Sequence, residues 1–324
     1  MTARIGLVLG AGGSVGGAFH AGVLAALAEG TGWDPRSAEV VVGTSAGSVT
    51  AAVLRVGLPA TDLARRAEGR RLSDEGARVV TRAALGAPPA MPTWQPRERR
   101  AGGMAAPEAL LAAARRPWAA RPAAMAAAAL PEGTIPTEPI AAALDSAFAG
   151  RWPDQTLWIC AVRLGDGALV VFGREGAPSA HVGQAVAASC AVPGYFRPPV
   201  IGGQRYVDGG VRSLTSLDLL AGKGLDLIVV SSPMSQAGRF SRPAPDRLIR
   251  QASRLQLERE AARVRRGGTP VVAFQPTAED QRVMGLNAMD QSRRAAVARQ
   301  VRASTLERLQ RDDLRQRLAP LQDR

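Results

Sequence analysis

The sequence predicts an α/β domain, because apolar strands alternate with helices along much of the chain. Residues 4–9 form a short apolar run that leads through glycines into a helix at about 18–29. The β-branched run at 40–42 leads through a second tight turn into an Ala/Val/Leu-rich helix at about 49–58. Strand, glycine turn and helix thus occur twice in succession near the start of the chain.

The second of these turns has the pattern G-x-S-x-G, formed by Gly43, Ser45 and Gly47. A serine at the apex of so tight a turn holds a strained backbone conformation, and the glycines let the strand and the helix approach without collision. The N-terminus of the following helix favours developing negative charge near the serine hydroxyl. Ser45 is therefore the candidate nucleophile, although the same pentapeptide also occurs as a plain structural turn.

The first turn, residues 10–17, presents backbone N–H groups at a helix N-terminus, which suits an anion. One such anion is the pyrophosphate of a dinucleotide. However, the G-x-G-x-x-G register fails at Val15, and the second strand does not end in the acidic residue that would bind a ribose. The other anion is the tetrahedral oxyanion of acyl transfer, which needs convergent N–H donors beside a nucleophile. The next strand leads to Ser45.

The chain has 324 residues, and we expect one large domain with an inserted segment. Hydrophobic residues make up 46% of the chain, which is typical of a globular protein. No apolar run approaches the roughly 20 residues that span a bilayer, and glycines from Gly10 onward interrupt the N-terminal apolar run before it resembles a signal peptide. We therefore expect a cytoplasmic protein.

The net charge of +13 is carried almost entirely by arginine. Such a charge can indicate an anionic partner, either nucleic acid or an anionic membrane surface, but codon bias would enrich Ala, Arg, Gly and Pro together in the same way. We expect no nucleic acid partner, since no aromatic residues interleave with the arginines to stack on bases. Arg247, Arg250 and Arg254 fall at helical spacing and could meet phosphate head groups at a membrane, or form an ordinary solvated face.

Cys160 and Cys190 are the only cysteines, and each lies in an apolar stretch without metal-ligand spacing. We expect two buried, unpaired thiols. No metal site and no cofactor are expected.

The second half of the chain supplies a candidate general base. Residues 157–172 read as a β-hairpin, and 204–207 form a short strand that leads into Asp208, Gly209 and Gly210. In isolation this tripeptide is most often a turn. Its position past a strand end, in a chain that already has a serine elbow and a glycine loop, makes Asp208 a candidate catalytic residue.

In these motifs the chain resembles the patatin-like phospholipase family. The resemblance rests on the glycine loop, the serine elbow, the Ser-Cys-Ala-Val-Pro-Gly run at 189–194 and the Asp-Gly-Gly tripeptide, in the family's order, over roughly residues 4–230. It implies a three-layer α/β/α sandwich with a mostly parallel central sheet. It also implies hydrolysis of lipid acyl esters by a Ser-Asp dyad, here Ser45 and Asp208, and amide donors to the oxyanion at Gly12, Gly13 and Ser14.

The glycine loop departs from the family's pattern in one respect. That pattern is usually G-G-G-x-R/K-G, whereas residues 12–17 read Gly-Gly-Ser-Val-Gly-Gly, one residue longer and with no basic side chain. The resemblance therefore carries over the amide donors and not the basic residue.

The positions of the histidines favour the same dyad. His20 lies in the helix after the glycine loop, where a packing role is expected, and His181 precedes Asp208. No histidine follows Asp208, so the Ser-Asp-His order of the α/β-hydrolases is unavailable with this acid. A carboxylate acting directly on serine needs burial to raise its pKa.

The expected organisation is a catalytic domain over 4–230 and a strand and helices at 231–324 that complete the same domain and end in a short, loose charged tail. The Pro/Ala/Arg-rich segment at about 86–139 is interpreted either as a cap that overhangs the serine and meets the lipid, or as an ordinary variable insertion. Two other functions remain open. One is a doubly wound nucleotide-binding module that uses residues 10–17, and the other is an inactive, membrane-associated member of the same fold. The oligomeric state is not predicted.

Overall fold

The computed structural model describes residues 3–86, 105–106, 122–236 and 247–322. Most of the predicted cap, at 87–104 and 107–121, lies outside the described residues.

Within the described residues, eight strands form one mixed sheet. Strands β1, β2, β3, β7 and β8 pair in parallel, whereas β4 and β6 pair antiparallel to β3, and β5 pairs antiparallel to β6. The strands are β1 (Ile5–Leu9), β2 (Val40–Thr44), β3 (Thr156–Arg163), β4 (Leu169–Phe172), β5 (Val200–Ile201), β6 (Gln204–Asp208), β7 (Leu227–Ser231) and β8 (Val271–Phe274).

Helices cover both faces of this sheet. In chain order they are α1 (Gly13–Thr31), α2 (Ala46–Val56), α3 (Ala60–Ala67), α4 (Asp74–Arg82), α5 (Pro122–Ala129), α6 (Glu138–Phe148), α7 (Val182–Ser189), α8 (Arg247–Arg266), α9 (Ala278–Met284), α10 (Arg294–Leu309) and α11 (Asp312–Arg317). In the part of the chain that the structure describes, none of them is long and apolar enough to cross a bilayer.

The alternation of side chains along the strands produces a large apolar core on each face of the sheet. Leu7 of β1 belongs to the core shared with α1, including Phe19. Its neighbour Val8 points to the opposite face and packs with Leu257 and Val264 of α8. A layer of helices therefore lies on each side of the sheet. The predicted α/β/α sandwich with a mostly parallel sheet is confirmed.

One feature of the strand register decides where the candidate site forms. Cys160 of β3 pairs with Thr44 of β2 and with Val171 of β4, so β2 and β4 occupy opposite edges of β3. The next residue, Ala161, pairs with Asp208 of β6 and again with β4. Strands β2 and β6 therefore share an edge of β3. Because β2 runs parallel and β6 antiparallel to β3, their C-terminal ends meet head to head.

The C-terminal part of the chain packs against the first helix. Strand β8 extends the sheet beside β7, and α10 lies along α1. A Cβ built at Gly22 of α1 would lie 2.7 Å from the Ala298 carbonyl oxygen of α10. We predicted that residues 231–324 complete the same domain, and these contacts support that prediction without testing it.

The prediction of a loose charged tail is wrong. Residues 312–317 form α11, and a 3₁₀ turn follows at Ala319–Leu321. Leu314, Leu318 and Leu321 are buried. Their spacing of four and three residues places the leucines on one face of the chain, while the charged residues between them face solvent.

Arg250 and Arg254 of α8 do not share one solvent-exposed face, in contrast to the face suggested by the sequence. Arg250 is buried and its Nη1 donates to the Pro233 carbonyl oxygen at 3.1 Å, so it does not face solvent. Arg254 lies on the surface and pairs with Glu258 at 2.7 Å.

Several helix boundaries differ from those the sequence predicts. Helix α1 begins at Gly13 instead of about residue 18, so residues 13–17 of the predicted glycine loop form its first turns. Helix α10 begins at Arg294, directly after a 3₁₀ turn at Gln291–Arg293. The sequence analysis did not identify α3, α4 or α6, which have only 8, 9 and 11 residues.

Two glycines of α1 provide a test of the α1–α10 packing. We expect Gly22→Ala to lower the free energy of unfolding by roughly 1–3 kcal/mol, because its Cβ would press on the backbone of α10. The matched change Gly17→Ala meets nothing within 4 Å and should be neutral or stabilising by up to about 1 kcal/mol. Urea unfolding of both variants measures the difference. Equal effects would contradict this packing.

Candidate active site

Ser45 occupies a strained turn between β2 and α2. Its backbone has φ 53° and ψ −125°, a conformation that non-glycine residues rarely adopt. A Cβ built at Gly43 would lie 2.5 Å from the Ser48 Cα, and one built at Gly47 would lie 2.0 Å from the Leu9 carbonyl oxygen. The two elbow glycines therefore have the steric role that the sequence pattern predicts.

The amide of Ser45 is held by a residue to which the sequence analysis gave no role. It donates to Ser189 Oγ at 2.8 Å, and the Ser189 hydroxyl in turn donates to the Cys160 carbonyl oxygen at 2.6 Å. This chain ties the elbow to α7 and to β3. The Ser45 amide is thus occupied, which excludes it as an oxyanion donor in this arrangement.

Asp208 ends β6 and is buried directly opposite the elbow. The Ser45 hydroxyl lies close enough to its carboxylate to lower the pKa of Asp208, and the Gly210 amide donates to Asp208 Oδ1 at 2.7 Å. The Asp208 amide donates to the Ala191 carbonyl oxygen at 2.9 Å. A Cβ built at Gly209 would lie 2.4 Å from the Cys160 carbonyl oxygen, so only glycine allows this close contact with β3.

Burial gives the Asp208 carboxyl a pKa suited to proton transfer. Desolvation raises its pKa from the ordinary value of 3.8 to about 6. The Ser45 hydroxyl and the Gly210 amide favour the charged form and so limit this rise in pKa. The carboxylate is therefore ionised at neutral pH. It is also more basic than an exposed carboxylate.

The glycine loop leaves a group of amides available at the start of α1. Among the described residues, no oxygen accepts a hydrogen bond from the amides of Gly12, Gly13 or Ser14. The next amide, that of Val15, donates to the Ala288 carbonyl oxygen at 2.9 Å. Gly13 and Ser14 line the same cavity as Ser45. These N–H groups lie at the positive end of the helix dipole.

The cavity beside Ser45 is lined mainly by apolar side chains. They come from α2, α3 and α6 and from the chain after α7, and they include Val49, Val53, Leu63, Leu144 and Phe196. Such a lining suits a hydrocarbon chain.

Neither histidine takes part in this arrangement. His20 is buried, with Nδ1 2.8 Å from Ser231 Oγ and Nε2 2.8 Å from the Gly10 carbonyl oxygen, and burial lowers its pKa to about 4. His181 is exposed at the start of α7, where its amide donates to Gln184. His20 therefore has the packing role that was expected.

Both cysteines are buried and unpaired, as expected. Burial raises the pKa of each thiol to about 12, so neither is a thiolate at neutral pH. Over residues 3–86, 105–106, 122–236 and 247–322, no three His, Cys, Asp or Glu side chains form a group that could hold a metal ion.

Residues from the C-terminal half of the chain pack against the glycine loop. The sequence analysis did not identify them. A Cβ built at Gly12 would lie 2.6 Å from Pro233 Cγ, and one built at Gly13 would lie 2.6 Å from the Ala288 carbonyl oxygen. These contacts involve backbone and a loop proline. No motif in the sequence marks them.

Comparisons with known proteins bear on the family. The family model of patatin-like phospholipase matches residues 7–221, well over half of the chain. The crystal structure of VipD from Legionella pneumophila is 14% identical with a TM-score of 0.42, over 96% of this chain and 67% of that one. The type III effector protein ExoU is 19% identical with a TM-score of 0.35, over 95% of this chain and 53% of that one. No curated protein sequence matches.

The matched range contains the glycine loop, the serine elbow and the Asp-Gly-Gly tripeptide. By this match, the chain belongs to the patatin-like phospholipase family.

Proposed function

We propose that this protein is a serine acyl hydrolase of lipid esters that works through Ser45 and Asp208. Membership of the patatin-like phospholipase family supports lipid acyl hydrolysis in general. The observation that carries the specific assignment is the meeting of the ends of β2 and β6 on β3, which brings the Ser45 hydroxyl close enough to the buried Asp208 carboxylate to lower its pKa. A nucleotide-binding module would have no use for this pair.

In the first step, Asp208 accepts the proton of the Ser45 hydroxyl while the Ser45 Oγ attacks the ester carbonyl carbon. The carbonyl π electrons move to the oxygen, which becomes an oxyanion. In this proposal, the amides of Gly12, Gly13 and Ser14, which have no acceptor among the described residues, donate to this oxygen at the N-terminus of α1. The apolar cavity holds the acyl chain.

In the second step, the tetrahedral intermediate collapses and the bond to the leaving alcohol breaks. Asp208 gives its proton to that alcohol, and an acyl-Ser45 ester remains. Water then attacks the acyl carbon while Asp208 accepts a proton from it. Collapse of the second intermediate releases the fatty acid and returns the proton to Ser45 Oγ.

The glycine loop lacks the basic side chain that the family usually carries. Gly17 faces the cavity, and a Cβ built there meets no atom within 4 Å. In this proposal, the amides and the dipole of α1 supply the stabilisation of the oxyanion without help from a loop cation.

Substitution of either member of the dyad should abolish turnover. We expect Ser45→Ala and Asp208→Asn each to lower hydrolysis of a short-chain nitrophenyl ester by roughly 10³-fold or more, because the nucleophile or its base is lost. Fluorophosphonate labelling should disappear in Ser45→Ala and fall in Asp208→Asn. The exposed His181→Ala serves as the control and should behave like the wild type. Labelling at another serine, or dependence on His181, would refute the dyad.

The dyad also predicts the pH profile. Asp208 can accept a proton only when it is ionised, and its pKa is about 6, so kcat/KM should rise tenfold per pH unit below about pH 6 and level off above it. Initial rates on a neutral nitrophenyl ester measure this profile, with enzyme stability checked at each pH. A profile that is already flat between pH 4 and 6 would rule out Asp208 as the base.

A further inference from the structure

Two arginines line the same cavity as Ser45. Arg66 belongs to α3, and Arg294 is the first residue of α10. Of the described residues that line this cavity, they are the only charged ones. Most of the others are apolar.

Neither guanidinium is paired with an acid in the described part of the chain. Arg66 Nη2 donates to the Gly86 carbonyl oxygen, but its Nη1 is buried and has no hydrogen-bond partner. Burial lowers the pKa of both arginines, and the positive charge of Arg294 lowers the pKa of Arg66 further. The two positive charges therefore line one cavity, and the charge of Arg294 acts on Arg66. Both still carry a full charge at neutral pH.

This arrangement is unfavourable unless something binds there. Two like charges that are partly buried in an apolar cavity lose hydration, and no carboxylate among the described residues compensates them. An anionic group that bridged the guanidiniums would remove the repulsion and accept a hydrogen bond from the unpartnered Nη1 of Arg66. Phosphate oxygens match the planar donor geometry of arginine.

We propose that Arg66 and Arg294 bind the phosphate group of the ester substrate and determine its specificity. The inference rests on the proposed function, since Ser45 supplies the other fixed point on the substrate. The acyl carbonyl then lies at the elbow and the acyl chain contacts the apolar wall. The phosphate lies between the two arginines. The enzyme therefore prefers acyl esters that carry a phosphate over neutral esters of the same chain length.

A pair of substrates that differ only by the phosphate tests this proposal. Lysophosphatidic acid and monoacylglycerol with the same acyl chain are presented in the same neutral detergent micelles. For the double variant Arg66→Met and Arg294→Met, we expect kcat/KM on lysophosphatidic acid to fall roughly 10- to 100-fold, since charged hydrogen bonds to the phosphate are lost. On monoacylglycerol, the change should stay below about threefold.

A matched control removes the same charge from the same two helices. The double variant Arg65→Met and Arg299→Met alters a half-exposed and an exposed arginine that do not line the cavity, and it should treat both substrates like the wild type. Thermal melting confirms that all variants are folded. Equal losses on both substrates, no loss on either, or the same selectivity change in the control would overturn the proposal.

Two further measurements complete this test. Inorganic phosphate distinguishes the sources of the anion. Inorganic phosphate could inhibit monoacylglycerol hydrolysis only when both arginines are present, while lysophosphatidic acid is not the preferred substrate. In that case the two arginines bind free phosphate and the proposal is wrong. Binding of both lipids in the Ser45→Ala background tests the site without chemistry. Arginine-dependent preference for lysophosphatidic acid there supports the site even if the wild type hydrolyses neither ester, an outcome that would refute only the proposed function.

Discussion

The close approach of the Ser45 hydroxyl to the buried Asp208 carboxylate is the constraint on which the candidate site depends. The two residues approach because β2 and β6 lie along one edge of β3, so that their C-terminal ends meet at Cys160 and Ala161. The two side chains are distant in sequence and belong to strands of opposite direction. A parallel strand in place of β6 would deliver its last residue to a different part of the sheet.

The same arrangement stores two unfavourable features. Ser45 has a positive φ, which costs of the order of 1–3 kcal/mol in a non-glycine residue. Asp208 is charged and buried, and its raised pKa means that ionisation weakens the fold as the pH rises through about 6. The surrounding structure tolerates both features because Ser189, the Ala191 carbonyl and the Gly210 amide hold the two residues in place. Strain and desolvation are thus concentrated where a reactive serine and a basic carboxylate are useful.

The parts of this site that follow local rules could be predicted from the sequence. Glycines on both sides of Ser45 indicate a tight strand-to-helix turn. An Asp-Gly-Gly tripeptide after a short strand indicates the end of that strand. The family resemblance suggested that Ser45 and Asp208 meet. No local sequence pattern shows this meeting, because it depends on how β2 and β6 pair with β3. Ser189 and Ala191 act through a hydroxyl and a backbone carbonyl that many residues could supply. The buried leucines of α11 were concealed by the charged residues between them.

The central claim is that Asp208 is a buried carboxylate that interacts directly with the Ser45 hydroxyl. A ¹³C NMR titration of aspartate side chains, with the signal assigned by its loss in Asp208→Asn, measures that contact directly. The account predicts a pKa of about 6 for Asp208 in the wild type. It also predicts a higher pKa in Ser45→Ala, where the hydrogen bond that favours the charged form is absent. An Asp208 pKa near the ordinary value of 3.8, unchanged by Ser45→Ala, would contradict it.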